Sequence, residues 1–180
     1  MPYFIMKHLL FLIAFPFLFF GCTNDSEESK FGLISMKLNV KQIDARVTSA
    51  VLTFYGELFL YKKKLTIIAE NASNEFEIRI IDSNLDEKFN DDLYDVDGEG
   101  NLGLFYVGVK SGGETSWEHL PSLVSINKTA QNVDLNLISG TFEAVVVLLN
   151  DTSDKFIISN GTFENIKYST TTLSSNKKAI

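Results

Sequence analysis

From Leu33 to Tyr168 the hydrophobic residues recur mainly every second position, and this most constrains the fold. Met36, Leu38 and Val40 alternate with Lys37 and Asn39; Phe76, Ile78 and Ile80 alternate with Glu75, Glu77 and Arg79; Val133, Leu135 and Leu137 alternate with Asp134 and Asn136. Side chains on a strand point alternately to its two faces, so this pattern predicts half-buried strands with one solvated face. Further strands are predicted at 51–60, 65–69, 102–109, 123–126, 141–149, 156–159 and 162–168. Ala144 to Leu149 is continuously apolar, as in a central strand covered on both faces. Loop-like stretches separate these runs at 70–74, 97–100, 111–113 and 150–154. Asn160-Gly161 reads as a two-residue hairpin turn, whose central positions both need positive φ. The expected fold is all-β, an antiparallel β-sandwich or partly open barrel, with at most one or two short helices. Ile43, Val47, Ala50 and Val51 have helical spacing, but the surrounding β-branched and aromatic residues favour a strand. Asn84-Leu85-Asp86-Glu87 resembles a capping box, with Leu85, Phe89 and Leu93 on one face of a short helix.

The N-terminus is of a different kind. Lys7 and His8 precede an apolar run from Leu9 to Phe20, which is the layout of an export signal. A membrane anchor is a competing reading, but Pro16 interrupts the run, and crossing the hydrocarbon as a helix takes about 20 apolar residues. A cleaved secretory signal without lipid is another. Gly21-Cys22 favours a lipoprotein signal, because processing requires a small residue followed by cysteine. Phe19 and Phe20 stand where many lipoproteins carry Leu and then Ala or Ser, an aromatic-rich version that resembles lipoproteins of the Bacteroidetes type. The expected organisation is a signal peptide at 1–21, lipidated Cys22 with a flexible acidic tether through residue 32, one β-rich domain at 33–168, and a polar, fraying tail at 169–180. More than one acyl chain on Cys22 would make membrane attachment stable. Asp25, Glu27 and Glu28 resemble the signal that sends such lipoproteins to the cell surface. The expected location is the outer membrane, surface-exposed, with the periplasmic face as the alternative.

Without residues 1–21 the chain suits one domain and needs no disulfide or metal to fold, since a domain this size buries roughly 70% of its unfolded surface. Removing Lys7 leaves 15 basic against 23 acidic residues. That balance argues against nucleic-acid binding, which rests on neutralising phosphates. Lys62-Lys63-Lys64, the only dense basic run, reads as a charged hairpin turn.

A family resemblance lies in the C-terminal half. Ile138-Ser139-Gly140-Thr141-Phe142 precedes a strand; Ile157-Ile158-Ser159-Asn160-Gly161-Thr162-Phe163 follows, then Asn165-Ile166-Lys167-Tyr168. This resembles the closing β-hairpin of an uncharacterised family of Bacteroidetes lipoproteins. Leu65–Ile81 and Leu93–Tyr106 resemble the family's upstream strands more loosely. The tryptophan expected in the family's first strands has no counterpart, as the single tryptophan is Trp117. The resemblance implies an all-β fold and an envelope location, and no activity.

Candidate sites are few. Asp95, Asp97 and Glu99 occupy the first, third and fifth positions of an EF-hand-like calcium loop, with Gly100 at the sixth, and would be the oxygen ligands if calcium binds there. Tyr106 stands at the twelfth, where a bidentate Glu belongs, so an acidic glycine-rich turn is the plainer reading; no other cofactor is implied. Trp117, with Tyr94 and Tyr106, could stack on a sugar ring; Phe105 could extend the platform. Alternatively, Trp117 covers one end of the domain. Catalysis is constrained by composition: His119 is the only histidine after the signal, no G-x-S-x-G elbow occurs, and Cys/His zinc sites are excluded by count. Paired carboxylates stay open as a glycosidase-like alternative. The expectation is a noncatalytic binding or structural module of the envelope, with an unknown protein or glycan ligand. A carbohydrate-binding lipoprotein using Trp117 is the runner-up.

Overall fold

The computed structural model describes residues 32–57, 60–83, 86, 88–89, 93–95, 101–148 and 151–173. Cys22 and the segment read as a signal, residues 1–21, lie outside these, as do Asn84, Leu85, Glu87, Asp97 and Glu99. The described residues are all-β. The strands are β1 (Leu33–Leu38), β2 (Lys41–Glu57), β3 (Leu60–Glu70), β4 (Asn74–Asp82), β5 (Leu93–Asp95), β6 (Leu102–Ser111), β7 (Glu114–Asn132), β8 (Leu137–Leu148), β9 (Asp151–Lys167) and β10 (Ser169–Leu173).

All ten belong to one sheet. Antiparallel pairings run β1-β2-β3-β4-β6-β7-β8-β9 and return from β9 to β1, so the sheet closes on itself as a barrel. The closure is irregular. β5 is wedged between β6 and β7. β10 runs parallel to β2 over Val51–Tyr55, beyond the stretch that β1 covers. These insertions make the sheet mixed rather than purely antiparallel.

The interior is built as the alternation predicts. Along β4 the even-numbered positions from Asn74 to Asp82 are buried and the odd ones half-buried. Each fully buried Ile, Leu or Phe contributes about 1.5–3 kcal/mol. Phe76, Phe105, Phe142 and Phe163 form a chain of rings across the interior, with centroids 6.2, 5.1 and 6.3 Å apart. In β2 the register shifts between Val47 and Ser49. Ala45 and Val47 point inward before the shift, and Ala50 and Leu52 after it. The helix-like spacing of this segment is thus the imprint of a β-bulge.

Several local expectations are corrected. Among the described residues there is no helix, and Phe89 is fully buried in the barrel core. Val133–Asn136 is a turn rather than a strand: Leu135 N–H donates to the Asn132 side chain at 3.0 Å, and Asn136 has φ 55°. Asn160-Gly161 makes no hairpin but lies within β9, at a bulge where the pairing jumps between Phe142↔Gly161 and Ala144↔Ile158. A type I′-like positive-φ pair instead occurs at Gly112-Gly113, with φ 62° and 90°. The lysine run lies in β3, with Lys63 inward and fully buried. Ser169–Leu173, expected to fray, forms β10.

Val40 is also not a strand residue. It forms the β1–β2 turn with Asn39, at φ 71° and 47°. Asn39 fixes the turn by exchanging hydrogen bonds with Ile157, accepting from its N–H at 2.7 Å and donating to its carbonyl at 2.9 Å. A β-branched residue in left-handed backbone is strained by about 1–2 kcal/mol, and Val40, 93% exposed, gains no packing in return. Val40→Gly should therefore raise unfolding stability by about 1 kcal/mol in denaturant titration, the strain relief exceeding glycine's extra chain entropy. A loss of stability would show that the turn is not strained.

Candidate functional site

Four places on the barrel gather polar or aromatic chemistry. The first lies inside the end where β2, β4, β7 and β9 finish. Lys63 Nζ donates to the carbonyls of Asp86, at 2.6 Å, and Lys88. It also sits 3.4 Å from the Asp82 carboxylate, with both side chains at most 2% exposed. The Tyr94 hydroxyl donates to Asp82 at 3.3 Å. Lys128 Nζ donates to the Phe89 carbonyl, and the Phe89 N–H donates to Gln131 at 2.8 Å. The Gln131 amide reaches the Tyr168 hydroxyl at 3.1 Å. The Phe89 ring lies 4.8 Å from Lys63 Nζ and packs edge-on against Tyr94. This network pins Phe89 as a plug in the barrel mouth. Burial pushes the Lys63 ammonium below its usual pKa, with the Asp82 carboxylate opposing that shift.

At the opposite end His119 pairs with core residue Val107 and so stands on the inner face. Its ring lies 4.7 Å from that of Phe156. Both ring nitrogens are buried without a hydrogen-bond partner among the described residues. The Asp154 carboxylate is 4.0 Å from Nε2, beyond hydrogen-bond length.

The outer face of β3, β4 and β6 is polar, and its groups satisfy one another. Arg79 is paired with Glu77, which holds its guanidinium above the usual pKa range, and it lies over the Tyr106 ring at 4.6 Å. Glu75 accepts from Thr115 at 3.2 Å, and Glu70 engages Arg46 and Lys110. Trp117, 37% exposed, lies on this face over Gly108, where an added Cβ would come 3.1 Å from its ring.

The outer face of β7, β8 and β9 holds a groove of ≈ 370 Å³ lined by Ser125, Asn127, Thr141, Phe142, Glu143, Asn160, Gly161 and Thr162. Its side chains are ordered by the ladder: Ser125 opposes Glu143, and Asn127 opposes Thr141, which opposes Thr162. The β9 bulge at Asn160, with φ 51°, adds a further amide to the rim.

The structure does not assemble the aromatic platform predicted from the sequence. Trp117 and Tyr106 share the outer face, but Tyr94 and Phe105 are fully buried in the core. Of the three candidate calcium ligands only Asp95 is described, in β5, while Asp97 and Glu99 lie outside the described residues. Among the described residues no three His, Cys, Asp or Glu side chains gather closely enough to hold a metal. The groove escaped sequence reasoning because its residues are unremarkable singly. Its signal is the recurrence of small polar residues at outward positions of three successive strands, and recognising that requires the register. The chain matches no known protein-family model, no curated protein and no solved structure.

Proposed function

We propose that the chain is a lipid-anchored lipoprotein of the outer membrane, displayed at the cell surface, whose β-domain is a noncatalytic binding or structural module. The observation that carries this reading is Gly21-Cys22 directly after the Leu9–Phe20 apolar run with its basic flank. The first described strand begins at Leu33, and on this reading the acidic residues after Cys22 lie between lipid and barrel in the sequence. The middle of the barrel is packed by the phenylalanine chain and aliphatic residues, and the polar groups at its two ends are themselves buried. That leaves the outer face as the place where a partner would be met.

Metabolic labelling with a fatty-acid analogue in a bacterial host should mark the wild-type protein, and Cys22→Ala should remove the label completely. Labelling that persists in the variant would overturn the assignment. Protease shaving of intact cells then distinguishes surface display from the periplasmic face.

A further inference from the structure

The geometry points to the β7–β8–β9 groove as a binding site for a short neutral oligosaccharide, an inference that rests on the domain being a binding module. The groove presents Ser125, Asn127, Thr141, Glu143, Asn160 and Thr162, which together supply hydroxyl, amide and carboxylate groups. Hydroxyls and amides both donate and accept, and the carboxylate accepts twice over. This mixture matches the vicinal hydroxyls of a sugar, each of which is also both donor and acceptor.

The contrast with the rest of the surface strengthens the inference. On the outer face of β3, β4 and β6 the polar groups are engaged: Glu77 pairs with Arg79, Glu70 pairs with Lys110, and Glu75 accepts from Thr115. None of the groove's side chains makes a protein hydrogen bond among the described residues. Even in the next position along the same row the pairing resumes: Thr162 opposes Ser35, whose hydroxyl donates to Asp44 at 2.7 Å.

Sugars also have apolar C–H faces, and the same strands supply apolar surface at the groove's edge. Leu123, Val145 and Ile157 are directly paired across β7, β8 and β9, and Leu123 and Ile157 are 62% and 46% exposed. At the other edge Leu93 of β5 lies opposite Asn127 and is also exposed. Glu143 is the only ionisable group in the lining, so the site repels phosphate, sulfate and carboxylate ligands and favours uncharged ones.

The test uses the full-length protein in detergent and a panel of neutral oligosaccharides built from glucose, mannose, galactose, xylose or N-acetylglucosamine. Binding is read by ligand-observed NMR and calorimetry. At least one member should bind, and its sulfated form should not. Thr141→Val with Thr162→Val keeps both β-branched shapes and should weaken binding about tenfold or more, because the hydroxyls' hydrogen bonds are lost. Glu143→Gln, a second variant at an exposed position, should also weaken it. Trp117→Ala, on the other face, should leave affinity within about twofold. A panel with no binder, equal binding of sulfated forms, or sensitivity to Trp117→Ala with none to the groove variants would each overturn the proposal. Binding does not depend on Cys22, so Cys22→Ala should bind the same sugar, and failure of the lipid assignment is read separately.

Discussion

Gly161→Ala should destabilise the protein by about 2–3 kcal/mol, the usual cost of overpacking a filled core, and should do so only while Phe142 is present. The reason is the register of β8 on β9. Gly140-Thr141-Phe142 pairs antiparallel with Gly161-Thr162-Phe163, so each glycine faces the other triplet's phenylalanine, Gly140↔Phe163 and Phe142↔Gly161. A Cβ at Gly161 would lie 2.5–2.6 Å from three atoms of the Phe142 ring. At Gly140 the obstruction includes the Asn127 backbone carbonyl at 2.6 Å as well as the Phe163 ring. Phe142→Ala alone should cost about 3–5 kcal/mol through the cavity it leaves. In that background Gly161→Ala should be nearly neutral, giving a coupling of about 2 kcal/mol in a double-mutant cycle by denaturant unfolding. Additive single effects would mean that the glycine is needed for backbone conformation rather than for the ring above it. Gly140→Ala should not be rescued in the same way by shortening Phe163, because the Asn127 carbonyl remains.

Asp82→Asn should cost about 3–5 kcal/mol, because it neutralises the carboxylate 3.4 Å from the buried Lys63 ammonium in the barrel mouth. Lys63→Met should cost a comparable amount, since it strips the Asp86 and Lys88 carbonyls of their shared donor and removes the cation 3.4 Å from the buried Asp82 carboxylate. The double variant should cost less than the sum by about 1–3 kcal/mol, and equality with the sum would refute the pairing. A pH arm separates charge from packing. Burial sets the folded pKa of Lys63 below its unfolded value. Between those two values the unfolded chain holds more protons, so stability rises with pH toward the ordinary lysine range. The stability difference between wild type and Lys63→Met should therefore widen as pH rises through that window. A constant difference would indicate a purely steric effect.

The alternation carried the fold class because one covered face is enough to impose a period of two on each strand. What escaped it was local. The bulge after Val47 shifted the inward set by one position and imitated helical spacing. Val40 continued an alternating pattern that the Asn39 hydrogen bonds to Ile157 cut short. Asn160-Gly161 had the chemistry of a hairpin turn, but positive φ serves a bulge equally well, and only the ring of Phe142 shows why glycine follows. Lys63 looked solvated because its acceptors are backbone carbonyls, which a sequence does not display. The same blindness hid the groove: its members lie on three strands, and a one-residue change of register would turn any of them inward. The closing-hairpin motif, by contrast, acquires a physical meaning, since each Gly-Thr-Phe triplet is the complement of the other.

β1 is the strand through which any load from the N-terminal side enters the barrel. It is held on one flank by β2 and on the other by β9, and the Gly32 carbonyl receives the Val47 N–H at 3.0 Å where the chain joins it. A pull along the strand axis would have to shear two hydrogen-bond ladders together rather than peel one strand from an edge. The first strand is thus a mechanical clasp, and traction on the chain before Gly32 would be borne by the whole ring.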